Sequence, residues 1–204
     1  MKTISLLKQL SEAVGLSAHE APVRALVREL WTPLVDDLQE DALGSLIGLQ
    51  QGTSPEPRPK LMLAAHMDEI GLMVKQIDEG LLRISNIGGI DLRVLPSLEV
   101  VVHGREDLPG VVGMRPPHVL PAEERDKPVP ADKLFVDVGL PEERVRELVR
   151  VGDAISFRRD LLELKNDLVS GKALDNRASV AAVTLALDQL RRIDHAWDVV
   201  AVAT

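Results

Sequence analysis

The stretch from about Gly71 to Phe157 constrains the fold most, because Gly and Pro keep cutting its apolar residues into short runs. Leu72-Met73-Val74, Leu81 to Ile84, Leu98 to Val102, Val111-Val112, Leu134 to Val138 and Ala154 to Phe157 follow one another at close spacing. Repeated short strands of this kind predict a compact β unit, a small barrel or a sandwich. Pro141 to Leu148 reads as one short helix within it. The flanks have a different texture. Ile4, Leu7 and Leu10 lie at helical spacing over residues 3–13, with Gly15 as a stop. Ser17 followed by Glu20 has the form of a capping box, after which Val23, Leu26, Val27 and Leu30 trace one stripe as far as Pro33. Residues 34–40 and 44–50 read as strands, and the proline-rich residues 52–59 as a loop. Leu61 to His66 reads as a strand whose continuous apolar character suits the interior of a sheet covered on both faces. The expected fold class is α/β: a mixed-sheet core from residues 1–69 and 160–204, with an inserted small β-barrel-like domain over residues 70–159.

Composition removes several functions. Aromatic residues make up 2% of the chain and Tyr is absent, so a stacking platform for single-stranded nucleic acid has nothing to be built from. A net charge of −8 opposes binding to nucleic acid or to an anionic membrane through bulk electrostatics. There is no cysteine, so a bound metal must be held by His, Asp or Glu. The N-terminal residues lack the uninterrupted apolar segment of a signal peptide, and no stretch reaches the roughly 20 apolar residues of a membrane span. The expected location is cytoplasmic.

Two segments carry chemistry. The strand ending at Ala65 runs into His66-Met67-Asp68-Glu69, and residues two apart on a strand point to one side, so imidazole and carboxylate share a face. That pairing suits a metal ligand with an orienting carboxylate, although a lone strand-end histidine is more often a hydrogen-bonded rim residue. Glu69 reads as the start of the next segment. About a hundred residues later, Gly171-Lys172-Ala173-Leu174-Asp175-Asn176-Arg177 precedes the helical stretch from Val180 to Leu190, which places Asp175 near a helix N-terminus. The bland reading there is an N-cap. No Gly-x-Ser-x-Gly elbow, Walker loop, dinucleotide fingerprint or His-Glu-x-x-His is present.

Taken together, the His66 and Asp175 segments resemble the paired signatures of the M42 metallo-aminopeptidases, the glutamyl-aminopeptidase and tetrahedral-aminopeptidase group. Ile87-Gly88-Gly89-Ile90-Asp91, Gly110-Val111-Val112-Gly113, Pro116-Pro117-His118, Val136-Asp137-Val138-Gly139 and Val151-Gly152-Asp153 follow in the order of that family. The resemblance implies hydrolysis of N-terminal residues from peptides by a metal-bridged water, with two divalent ions, zinc or cobalt. It implies His66 as a ligand of one metal, Asp175 as the bridging ligand, and Asp68 as the catalytic-site carboxylate that fixes the His66 tautomer. It also implies a cis Asp175-Asn176 peptide and a homo-oligomer assembled through the inserted domain, where His118 is a candidate for a role at a subunit interface. In that family a Glu-Glu pair follows the strand corresponding to Trp197 to Thr204, so the metallopeptidase core is expected to be incomplete and the chain a poorly active fragment. Two competing functions are a non-catalytic assembly or regulatory module and a glycan hydrolase, since some family members have been labelled endoglucanases. A glycosidase needs two carboxylates at a defined separation, and no such pair stands out. His19 reads as solvent-facing, and His103 and His195 as structural or exposed. The charged stretch from Pro121 to Pro130 reads as a solvated loop.

Overall fold

The structure is a computed structural model describing residues 2–119, 121, 123 and 129–204. The chain divides into two compact units, Met1–Glu69 with Asp160–Thr204, and Ile70–Arg159. The stretch expected to be a solvated loop between Pro121 and Pro130 lies largely outside the described residues.

The first unit is α/β. Helices α1 (Thr3–Glu12), α2 (Ala21–Trp31) and α4 (Leu174–Leu190) pack with a mixed sheet of β1 (Asp37–Glu40), β2 (Leu46–Gln50), β3 (Lys60–Ala65) and β12 (Asp198–Ala203). The sheet order is β1-β2-β12-β3, with β12 antiparallel to β2 and parallel to β3. Helix α2 buries Val23, Val27 and Trp31, spaced four apart on one stripe, with Pro22 in its first turn, where no helical N–H is lost. On α1 the buried residues are Leu6, Leu10 and Ser11, with Leu7 packed against the core, so of the expected stripe Leu7 and Leu10 face inward while Ile4 is exposed. Strand β2 alternates, with Leu46, Gly48 and Gln50 buried, as one covered sheet face requires. The core joins these to Val180, Leu187, Ala201 and Ala203. A short hairpin of β10 (Leu162–Glu163) and β11 (Val169–Ser170) completes the unit.

Among the described residues the double cover expected for the strand at residues 61–66 is not seen. Strand β3 lies at the sheet edge with β12 as its only partner among the described residues, and Leu61 and Met62 are 46% and 67% exposed.

The second unit is a closed six-stranded barrel in the order β4-β5-β8-β7-β6-β9. Its strands are β4 (Gly71–Asp78), β5 (Leu81–Ile87), β6 (Glu99–His103), β7 (Asp107–Gly113), β8 (Phe135–Asp137) and β9 (Ala154–Phe157), with the short helix α3 (Glu142–Leu148) between the last two. Alternate residues fill the interior: Leu72, Val74, Leu82, Ile84, Val100, Val102, Val112, Val136 and Ile155. Closure removes free strand edges, which suits a unit built from strands this short.

Candidate metal centre

Strand β3 delivers His66 at its C-terminal end, and the alternation continues past the strand. Met67 and Glu69 turn inward and are buried, whereas His66 is exposed and Asp68 half-buried on the opposite side. The end of β12 lies alongside, because Thr204 N–H donates to the Ala65 carbonyl at 3.0 Å and the Thr204 carbonyl accepts from Met67 N–H at 2.7 Å. His66 Nδ1 is 2.9 Å from Asp68 Oδ1, and His66 Nε2 is 3.2 Å from Asp175 Oδ1. Asp175 reaches it from a distorted first turn of α4. Ala173 is left-handed at φ 55°, Asp175 and Asn176 have non-helical dihedrals, and the peptide between them is cis. Asp175 does not serve as an N-cap: its Oδ1 faces His66, and its side chain is 96% exposed.

This geometry fits a cation. With Nδ1–H donated to Asp68, Nε2 turns its lone pair toward an anionic oxygen, which is favourable only with a proton or a metal ion between them. Two ligands on a tetrahedral zinc with bonds of 2.0–2.1 Å stand about 3.3 Å apart, close to the separation found here. Among the described residues no group of three or more His, Asp or Glu side chains is arranged to hold a metal. The pair His66–Asp175 is thus a partial donor set, open to solvent.

Beneath it lies a buried charge cluster that sequence reasoning missed. Glu69 accepts from Lys172 Nζ at 2.8 Å on both oxygens and stands 3.5 Å from Arg177 Nη2. Arg177 is fully buried and donates to the Met67 and Leu10 carbonyls at 2.8 Å, to the Gly15 carbonyl at 3.2 Å, and to Ala13. Burial lowers the pKa of both Lys172 and Arg177, and the Glu69 carboxylate opposes that shift in each. Through Met67, Arg177 ties the His66 segment to the helix that carries Asp175. The available signal was the strand alternation, which puts Glu69 on the inward face with Met67 and demands a cation for it.

Ser17 and Glu20 form no capping box. Helix α2 starts at Ala21 with Glu20 at its cap position, so Ser17 sits three residues too early, and its Oγ donates instead to Asp68 Oδ2. Gly15 serves close approach beyond a helix stop: a Cβ there would meet Val23 Cγ1 at 2.4 Å and Arg177 Nη2 at 2.9 Å. Two of the other histidines hold structural places. His195 Nδ1 bonds the Trp197 carbonyl at 2.7 Å, while His19 and His118 are exposed. His103 bridges Asp107 at 2.7 Å and Ser156 at 2.8 Å, but Ser156 is 2% exposed and closed to any substrate.

Residues 44–204 match the family model described as M42 glutamyl aminopeptidase, and that match spans most of the chain. The chain belongs to the M42 family. A lysyl aminopeptidase of Pyrococcus furiosus is 32% identical over 205 residues, covering 98% of this M42 chain and 58% of the relative. A TET aminopeptidase from the archaeon Thaumarchaeota archaeon SCGC AB-539-E09 superposes with TM-score 0.93 at 34% identity, over 100% of this chain and 59% of that one. The Pyrococcus horikoshii TET1 peptidase, described as able to assemble into a tetrahedron or a large octahedral shell, gives TM-score 0.87 at 32% identity, over 100% and 61%. The M42 chain spans about half the length of the curated relatives it matches. These likenesses bear out the mixed α/β architecture with a barrel.

Proposed function

We propose that this chain carries part of the divalent-metal centre of an aminopeptidase, with His66 Nε2 and Asp175 as ligands and Asp68 orienting His66. The observation that carries the reading is the 3.2 Å approach of a free imidazole nitrogen to a solvent-open carboxylate, reached from segments 109 residues apart in sequence. When bound, zinc or cobalt ions supply Lewis acidity, polarising a scissile carbonyl and lowering the pKa of water. Asp68 accepts a hydrogen bond from Nδ1–H and so keeps the Nε2 lone pair turned outward. Asp175, free of helix-capping duty, keeps its oxygens for the centre. The exposure of both residues leaves room for the end of a peptide. A general base of Glu-Glu type following Thr204 belongs to the same proposal, and Thr204 is hydrogen-bonded to the residues on either side of His66.

The test is metal binding and peptide cleavage by the purified 204-residue chain. Co²⁺ should bind weakly, binding should be lost in His66→Ala, and turnover of aminoacyl-p-nitroanilides should be negligible until the chain is extended past Thr204. Binding indifferent to His66 overturns the ligand assignment, and robust cleavage without extension overturns the placement of the base. We further propose homo-oligomerisation through the barrel, which exposes Val94, Val111 and Val151 and whose TET1 relative assembles into shells. A strict monomer in sedimentation contradicts this. No described helix is long and apolar enough to cross a membrane. A cytoplasmic home is part of the proposal, to be checked by fractionating the source cells.

A further inference from the structure

We infer that Ser17 is a positioning residue for the metal centre, acting on His66 through Asp68. The inference rests on the metal reading above and extends it to a residue outside both sequence motifs. Asp68 has two oxygens and two clients: Oδ1 faces His66 Nδ1 at 2.9 Å, and Oδ2 accepts from Ser17 Oγ. A carboxylate held at one oxygen only can swing about its side-chain torsions and release the imidazole. Held at both, it fixes the ring plane and the tautomer, which sets where Nε2 points.

The segment carrying Ser17 is itself pinned. Leu16 is fully buried and forms an isolated bridge with Glu69. Glu69 N–H donates to the Gly15 carbonyl at 2.8 Å, and His19 N–H donates to the Leu16 carbonyl at 2.7 Å. Ala18 adopts φ 68°, a left-handed conformation uncommon for a residue with a Cβ, and its N–H is held by Glu20 Oε1 at 2.5 Å. The hydroxyl is therefore presented by backbone that the buried Glu69 cluster fixes. Because Ser17 is only half-buried and belongs to no helix or strand, its replacement leaves the core intact.

The experiment titrates Co²⁺ into the 204-residue chain and follows the visible d–d absorption, for the parent, Ser17→Ala, Ser17→Thr, Asp68→Ala, the Ser17→Ala/Asp68→Ala pair and His66→Ala. Loss of an orienting carboxylate costs roughly 10–100-fold in metal affinity, so Asp68→Ala should fall in that range and Ser17→Ala should cost about 3–10-fold. Ser17→Thr keeps the hydroxyl and should restore affinity and band shape. Unfolding midpoints should stay at the parent value in both Ser17 variants. In the Asp68→Ala background, Ser17→Ala should change nothing further, which a merely structural role does not predict. The inference is overturned if Ser17→Ala binds Co²⁺ like the parent, or weakens it equally with and without Asp68. Equal binding by the parent and His66→Ala would instead sink the metal reading on which the inference stands.

Discussion

Replacing Glu69 by Gln removes one negative charge from the buried cluster and keeps its shape. The side chains of Glu69 and Lys172 are 2% and 9% exposed, so water screens the pair little. Breaking a buried pair at one partner costs about 3–5 kcal/mol, because a charge is left uncompensated. The lower end applies here. The Gln carbonyl still accepts from Lys172 and from Gly15 N–H, and Arg177 keeps its backbone carbonyls. The expected loss is about 3 kcal/mol at pH 7, roughly a hundredfold in the folding equilibrium. The loss must also depend on pH. Burial already holds the Lys172 pKa below its ordinary 10.5 in the folded chain, and the Glu69 carboxylate is what raises it back. Between the lowered value and 10.5 the unfolded chain holds a proton that the folded chain has released, so stability rises with pH through that window. Without the carboxylate the folded pKa falls further and the window opens at lower pH. Glu69→Gln should therefore recover part of its deficit relative to the parent as pH rises toward 10.5. Urea unfolding of both proteins at several pH values measures this. A loss below about 1 kcal/mol at pH 7, or a deficit that does not shrink as pH rises toward 10.5, would falsify the claim that Lys172 is buried charged against Glu69.

Thr184→Val preserves volume but strands the Trp31 indole N–H, now donated to Thr184 Oγ1 at 2.8 Å in the core; urea unfolding should show a loss of about 1–3 kcal/mol. In the barrel, Gly104→Ala drives a Cβ to within 2.3 Å of the Leu148 carbonyl oxygen, so the chain should lose about 1–3 kcal/mol, seen as a lower thermal midpoint, and an unchanged midpoint rules out the clash.

The density of short Gly- and Pro-cut apolar runs was enough to read a β unit within an α/β chain, because strand length and turn chemistry are local properties. The pairing of His66 with Asp68 was legible for a similar reason: a two-residue period fixes which side chains share a face. That Asp175 belonged with them came from family resemblance, since nothing local links residues 109 positions apart; the fold brings them to 3.2 Å. Two features were decided by tertiary structure alone. Ser17 has the local pattern of a helix cap, and only the start of α2 at Ala21 frees its hydroxyl for Asp68. Glu69 reads only as the start of a segment, and Lys172 and Arg177 only as neighbours of Asp175, until the packing of α1, α4 and the end of β3 excludes water from them. Burying a charge is tolerable only when its partners arrive from distant parts of the chain, and that arrival is a property of the fold.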